Sequence, residues 1–319
     1  LGSLLADAAK KIEINTVIFS DDPDAPAKNF SNKFIHGSYS NQKIIDEFGP
    51  DLLLQDEEVV ISKSQSDSIR KALLKYKVII FRDQKLSPED HLRIASIYGE
   101  IYRVPFVKSR ADHPDIIDII KEPDDGTSYN FGGVWHSDAT FEKYPPKASA
   151  LFCLESPPFG GDTLFVNMEA AYNGLSNAMK EMLDGVWALH SAERNYGSGG
   201  YFKDEDQQSI SMNIETSKQG DLMTEHPVIR THPETGHKGL FVNPIYTIRF
   251  KDMTSEESQP ILDFLYSHAT RPEFQCRINW TSHALAIWDN RCTMHFAIND
   301  YSGHRRHMNR VTIAGDRPT

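Results

Sequence analysis

Apolar positions recur along the chain in short bursts of two different periods. From Ser66 onward, Ile69, Ala72, Leu73 and Tyr76 follow the i, i+3, i+4, i+7 spacing of an amphipathic helix. Val78-Ile79-Ile80-Phe81 behind it reads as a short, fully buried strand. A second helix opens at Ser87 as N-cap with Pro88 at the first helical position, carries Leu92, Ala95 and Tyr98 on its apolar face, and ends at Gly99. Strands are predicted at Ile116–Ile120, Ala148–Leu154 and Asp162–Val166, the last two joined by the turn Ser156-Pro157-Pro158-Phe159-Gly160-Gly161. Residues 168–184 alternate short helices capped by Asn167 and Ser176. Val228–Thr231 and Gly239–Asn243 pair as a hairpin, and a helix near 256–268 holds Pro260 in its first turn or at a kink. Strands at Ala284–Trp288 and Arg310–Ala314 enclose a connection rich in histidine and arginine.

Many short strands with turn signals between them, and helices mostly outside that series, predict a mainly β fold with helical insertions (α+β). The arrangement expected is an antiparallel double-stranded β-helix, a cupin-like jelly roll. Strand–helix alternation of Rossmann type and GxGxxG are both absent. Residues 1–50, with a strand near Ile12–Phe19 and the loop Asp21-Asp22-Pro23-Asp24-Ala25-Pro26, read as an N-terminal extension, and 51–319 as a single domain. Two polar stretches without periodicity, near 122–133 and 191–224, are placed as lids.

Composition narrows the class. The 319 residues are 39% hydrophobic and carry a formal charge of −11, with no basic run beyond a pair such as Arg305-Arg306, which excludes a phosphate-tracking surface and nucleic acid as partner. No apolar run reaches the roughly 18 residues of a membrane span, so the expectation is a soluble protein with no membrane partner. Cys153, Cys276 and Cys292 are odd in number and widely spaced, which fits a reducing, cytoplasmic compartment.

The candidate chemistry sits in Gly133-Val134-Trp135-His136-Ser137-Asp138-Ala139-Thr140-Phe141. In an extended segment His136 and Asp138 share a face, offering an imidazole and a carboxylate to one metal. A distant histidine would complete the 2-His-1-carboxylate set that leaves positions open for a co-substrate and O2. Two further His-x-acid triplets, His113-Pro114-Asp115 and His232-Pro233-Glu234, carry a central proline and read as turns. His295 follows a buried strand and a polar turn, whereas His283, His304 and His307 have more polar neighbours; spacing alone does not choose among them.

Taken together, His136-Ser137-Asp138 after tryptophan, Gly160-Gly161-Asp162-Thr163, Trp288-Asp289-Asn290-Arg291 before His295, and Arg306 to Arg310 ahead of Ala314-Gly315-Asp316-Arg317-Pro318 resemble the taurine/2,4-dichlorophenoxyacetate dioxygenase family over roughly residues 51–319. The resemblance implies an Fe(II)- and 2-oxoglutarate-dependent dioxygenase that consumes O2 and releases succinate and CO2. His136, Asp138 and His295 would bind iron, and Thr163 and Arg306 the distal carboxylate of 2-oxoglutarate. It also implies a homodimer or homotetramer, and assigns Arg310 to the anion of a small organic substrate. In one strand Arg306 and Arg310 face the same side, roughly 13 Å apart. Taurine-specific members carry His-Pro-Val-Tyr where this chain reads Val104-Pro105-Phe106-Val107, which points away from taurine. With Val104, Phe106 and Phe131 as candidate walls, the substrate expected is an amphiphilic carboxylate, sulfonate or sulfate ester, hydroxylated with or without carbon–heteroatom cleavage. The alternative is a metal-binding jelly roll without redox chemistry, a cupin-like isomerase or binding module, which would need His136 and Asp138 but not Thr163 with Arg306.

Overall fold

A computed structural model of the chain describes residues 61, 63–125, 130–203, 211–212 and 214–319, together with the backbone of strands β1 (Val17–Ser20) and β2 (Lys33–His36). The chain divides into two compact units, residues 1–72 and 73–319. In the first unit β1 and β2 pair in parallel. Residues 12–16 of the strand expected there, the loop at 21–26 and parts of both predicted lids, 126–129 and 204–210, lie outside the described residues.

Helix α1 spans Lys63–Tyr76. Then follow β3 (Val78–Phe81), α2 (Pro88–Ser96), β4 (Ile117–Lys121), β5 (Ala148–Glu155), β6 (Thr163–Asn167), α3 (Met168–Asn173), α4 (Asn177–Leu183), β7 (Trp187–Ser191) and α5 (Glu193–Tyr196). The rest comprises β8 (Met223–Pro227), β9 (Ile229–Thr231), β10 (Lys238–Leu240), β11 (Thr247–Phe250), α6 (Ser255–Ala269), β12 (Gln275–Ile278), β13 (Leu285–Asp289), β14 (Thr293–Ala297) and β15 (Arg306–Ile313). The local signals have the physical basis expected of them. The Ser87 hydroxyl accepts from Asp90 N while the Asp90 carboxylate accepts from Ser87 N, closing a capping box at α2. Asn167 and Ser176 cap α3 and α4. Pro260 lies inside α6, beyond its first turn.

An antiparallel five-stranded sheet, β3-β13-β5-β15-β4, packs on a three-stranded one, β12-β6-β14. Leu151, Cys153, Ala286, Trp288 and Met308 from the first sheet share a core with Phe165 and Ile278 from the second. The alternation of strand side chains sorts the second sheet: Phe165 points between the sheets, while Val166 and Met294 pack into a second core with α3, α6 and the β9–β10 hairpin. His295, next to Met294, therefore faces the space between the sheets, with its ring 4.9 Å from Trp288 and 5.8 Å from Phe165.

Three expectations are corrected. β3 is half-buried rather than fully buried, because among the described residues it is an edge strand paired only with β13. The connection between the last two predicted strands contains β14, so His295 belongs to a sheet and not to a loop. The segment at His136 is a single bridge residue followed by a turn, not a strand. A third sheet, β11-β7-β8, has no clean alternation in sequence and escaped prediction. No helix among the described residues is long and apolar enough to cross a membrane.

Buried neutral histidines give this fold a defined acid limit. Burial lowers His91, whose ring nitrogen lies 3.1 Å from the Ala150 carbonyl, from 6.5 to about 4. Burial does the same to His226, which meets the Glu142 carbonyl at 2.9 Å. Both folded-state values lie below the unfolded one, so the unfolded chain takes up protons first as pH falls, and stability is lost between about pH 6.5 and pH 4. The expected loss at pH 5 is roughly 2 kcal/mol for each histidine. The melting temperature should fall steeply from pH 7 to pH 5; a level profile would contradict the assignment.

Candidate metal and co-substrate site

The centre of the site is a mutual backbone pair. His136 N donates to His295 O at 3.1 Å and His295 N to His136 O at 2.8 Å, so His136 adds one residue to the outer edge of β14. Residues opposite one another in such a pair point to the same face, and the two imidazole centroids lie 4.1 Å apart. The approach to the bridge is shaped by Gly132, whose positive φ of 80° suits glycine. A Cβ there would meet His136 Cε1 at 3.4 Å. Beyond the bridge, the Ser137 hydroxyl donates to Thr293 O, and the chain turns through Ala139 at φ 44°. His136 and Asp138 are therefore brought together at the entry to a turn and not along a strand.

Each group presents one donor inward. The His136 Nδ1–H donates to Val134 O at 2.7 Å, which leaves Nε2 with its lone pair. Asp138 Oδ1 lies 3.8 Å from both His136 Nε2 and His295 Nε2. Its other oxygen, Oδ2, accepts from the Ser149 hydroxyl at 2.6 Å and faces the Asn290 amide at 3.4 Å. Burial alone would raise the Asp138 carboxyl; Arg310, the two imidazoles and Ser149 outweigh it and hold it well below the usual carboxylate range. Burial lowers His136, and burial followed by the neighbouring His136 lowers His295 to about 3. The trio is therefore one anion and two neutral imidazoles, with ligand atoms all within 4.8 Å of one another. Two nitrogens and one carboxylate oxygen with the remaining positions open fit Fe(II).

A second cluster of similar composition does not. His232, Asp289 and Cys292 lie within the same mutual distance, but Asp289 is held by Arg291 through Nε at 2.9 Å and Nη2 at 2.7 Å, and by His232 at 3.1 Å. His232 Nδ1 accepts from the backbone N–H groups of Glu234 and Thr235, and Arg291 reaches Glu234 at 2.7 Å. With its donors committed, this is a buried ion network beneath the turn the sequence indicated.

Arg306, at the start of β15, and Thr163, at the start of β6, are the residues the resemblance assigns to 2-oxoglutarate. Arg306 is 5% exposed, and among the described residues no carboxylate pairs with it. Its Nε donates to Gly161 O at 3.2 Å and its guanidinium lies 5.9 Å from the Trp280 ring. Gly161 has φ 68°, and a Cβ there would come within 3.3 Å of Arg306 Cδ. Trp280 Nε1 donates to Thr163 Oγ1 at 2.9 Å, so the threonine's own proton is available to another acceptor. A buried guanidinium without a carboxylate, beside a hydroxyl donor, fits the distal carboxylate of 2-oxoglutarate.

A cavity of about 360 Å³ opens over His136 and Asp138. Val104, Phe131, Phe141 and Ile245 supply apolar wall, and both predicted lid stretches contribute, the first through Phe131–Gly133 and the second through Arg194, Asn195, Tyr196 and Tyr201. Arg310 enters it with Nη1 3.3 Å from Asp138 Oδ1, its guanidinium 5.8 Å from the Phe131 ring, and its buried Nε without a protein partner. Arg194 is committed to the carbonyls of Pro244 and Thr247. Phe106 is a correction: it does not line the cavity. Its φ of 68° turns the ring onto Tyr196, 5.3 Å away and stacked, where it supports the wall from behind. Ser149, Asn290, Trp280 and Tyr196 had no role assigned from sequence; Asn290 fell within the Trp288-to-Arg291 motif and Tyr196 within a predicted lid, while Ser149 and Trp280 carried no signal.

Comparison with known proteins agrees with this geometry. The family model for "Taurine catabolism dioxygenase TauD, TfdA family" matches residues 42–312. An alpha-ketoglutarate-dependent sulfate ester dioxygenase of Pseudomonas putida is 34% identical over 253 residues, 79% of this chain and 81% of that protein. An alkylsulfatase of Acinetobacter baylyi is 34% identical over 257 residues, 80% and 78% of the two chains. The crystal structure of a taurine dioxygenase from Burkholderia xenovorans superposes with a TM-score of 0.65 at 33% identity, over 82% of this chain and 83% of that one. The chain thus belongs to the TauD/TfdA family of alpha-ketoglutarate-dependent dioxygenases.

Proposed function

We propose that the protein hydroxylates an alkyl sulfate ester at the carbon bearing the sulfate oxygen. The observation that carries this is Arg310, paired with Asp138 through Nη1 but with its buried Nε lacking a protein partner, in a cavity walled mainly by apolar and aromatic side chains. The curated relatives named for sulfate esters support the choice of anion. The two packed sheets are read as the double-stranded β-helix of the family.

His136, Asp138 and His295 would hold Fe(II), which with 2-oxoglutarate supplies O2 activation coupled to release of succinate and CO2. Arg306 and Thr163 hold the far end of 2-oxoglutarate and so fix which end of the molecule faces the metal. Arg310 grips the sulfate head, and Phe131 and Phe141 exclude water from the alkyl chain. Ser149 and Asn290 keep Asp138 Oδ2 occupied, leaving Oδ1 as the ligand atom. Hydroxylation next to oxygen gives a hemiacetal-like sulfate that fragments to aldehyde and hydrogen sulfate, so one ester, one 2-oxoglutarate and one O2 yield one aldehyde, one hydrogen sulfate, one succinate and one CO2.

Succinate formation across alkyl sulfates, alkyl sulfonates, aryloxyacetates and taurine tests the reading. Alkyl sulfates should stimulate it most, with equimolar sulfate and aldehyde; stimulation by another class alone would overturn the substrate assignment. Arg310→Met is expected to raise KM for the best ester roughly 100-fold. The Kd of 2-oxoglutarate, titrated on Mn(II)-loaded protein, should stay within about threefold of wild type.

A further inference from the structure

A second cation faces Arg306. β15 and β4 pair antiparallel with Arg306 directly opposite Lys121. Residues opposite one another in such a ladder share a face, and like charges placed there repel. Lys121 is 8% exposed. Its ammonium donates to Asn299 Oδ1 and lies 5.1 Å from the Tyr301 ring. Among the described residues neither cation has a carboxylate within ion-pair distance. Both line one small cavity, with Asn130, Tyr301, Met212 and Asp125, and its space of about 20 Å³ accommodates one water-sized group. Asp125 is already engaged: it accepts from Glu122 N at 2.8 Å, Ser211 N at 3.3 Å and the Ser211 hydroxyl at 2.9 Å. Among the described residues, two cations against one carboxylate leave the lining one positive charge in excess. Phe131 borders this cavity and the larger one alike.

Two buried like charges that share one carboxylate already engaged elsewhere are costly unless a further anion settles between them. We infer that Lys121 is a second determinant of the co-substrate's distal carboxylate, which it shares with Arg306 across the β4–β15 ladder. The inference rests on the reading of Arg306 and Thr163 as the 2-oxoglutarate end of the site. Arg306 offers a planar fork and Lys121 a point charge from the opposite strand, so the carboxylate would be held from two directions and its arrival would neutralise the cavity. Lys121 is thereby a residue that selects dicarboxylic over monocarboxylic 2-oxoacids.

The test compares 2-oxoglutarate with 2-oxovalerate, a 2-oxoacid of equal chain length without the distal carboxylate, by calorimetric titration of Mn(II)-loaded wild type, Lys121→Met and Lys121→Arg. The expected result is a rise in the Kd of 2-oxoglutarate of about tenfold or more in Lys121→Met, near-wild-type binding in Lys121→Arg, and no loss of 2-oxovalerate affinity in either. An unchanged 2-oxoglutarate Kd, or an equal loss for both acids, overturns the assignment and leaves Lys121 a packing residue. A wild-type protein that binds neither acid overturns the functional reading itself.

Discussion

Asp138→Ala should bind less than one tenth of the Fe(II) or Mn(II) that the wild-type protein binds under the same conditions, and its succinate formation should fall to background. Asp138 is the only anion of the trio: the two imidazoles are held neutral by burial. Without it a divalent cation would meet two neutral nitrogens with Arg310 Nη1 close by. Losing a ligand must cost more than the 10- to 100-fold typical of losing a residue that only orients one. Stability should move as well, because in the metal-free protein Asp138 is the carboxylate against which the buried Arg310 is placed. Removing one member of a buried pair exposes the desolvation cost of the other, on the order of 3 kcal/mol. Asp138→Asn keeps an acceptor for Ser149 and most of the shape, so a comparison of the two variants separates charge from packing. Calorimetric metal titration and thermal melts provide both readouts. Wild-type metal affinity in Asp138→Ala would place the metal elsewhere.

Part of this site was legible because its residues carry local signals. His136 and Asp138 stand two apart, and the stretch from Gly160 to Thr163 announces a turn whose glycine conformation the structure uses at Gly161. The caps at Ser87, Asn167 and Ser176 are equally local, since each is one hydroxyl or amide answering a backbone N–H a few residues on. What spacing could not give, and for His295 only the family resemblance supplied, is set by pairing across long stretches of sequence. His295 is distinguished from His283, His304 and His307 by one bridge to His136 and by facing Phe165 and Trp288 from β14. No spacing rule contains that. Ser149 and Asn290 matter through contact with a single oxygen atom of Asp138. Lys121 and Arg306 face each other only because β4 and β15 are in register. Phe106 failed as a wall residue for a backbone reason, the left-handed φ that turns its ring to the Tyr196 side. Half-burial of β3 follows from its position at a sheet edge, which hydropathy alone does not encode.

Arg306→Met should weaken 2-oxoglutarate binding about 100-fold or more while leaving 2-oxovalerate untouched, and Arg306→Lys should recover little of the loss. A carboxylate gripped by a buried guanidinium is held by parallel charge-assisted hydrogen bonds that an ammonium cannot reproduce, and truncating one partner of such a pair typically costs more than 2 kcal/mol. The metal-free, co-substrate-free protein should respond in the opposite direction. There Arg306 is a buried cation whose contacts among the described residues are one carbonyl, that of Gly161, and the face of Trp280, opposed by Lys121 on the neighbouring strand. Replacing such a charge by an apolar side chain of similar length is neutral or stabilising. The variant should therefore melt at or above the wild-type temperature alone, yet gain far less than wild type when saturating 2-oxoglutarate is added to the Mn(II)-loaded forms. That crossing of the two melting series is what a ligand-binding arginine predicts. A purely structural arginine would lower the melting temperature in both conditions and change the two 2-oxoacids equally.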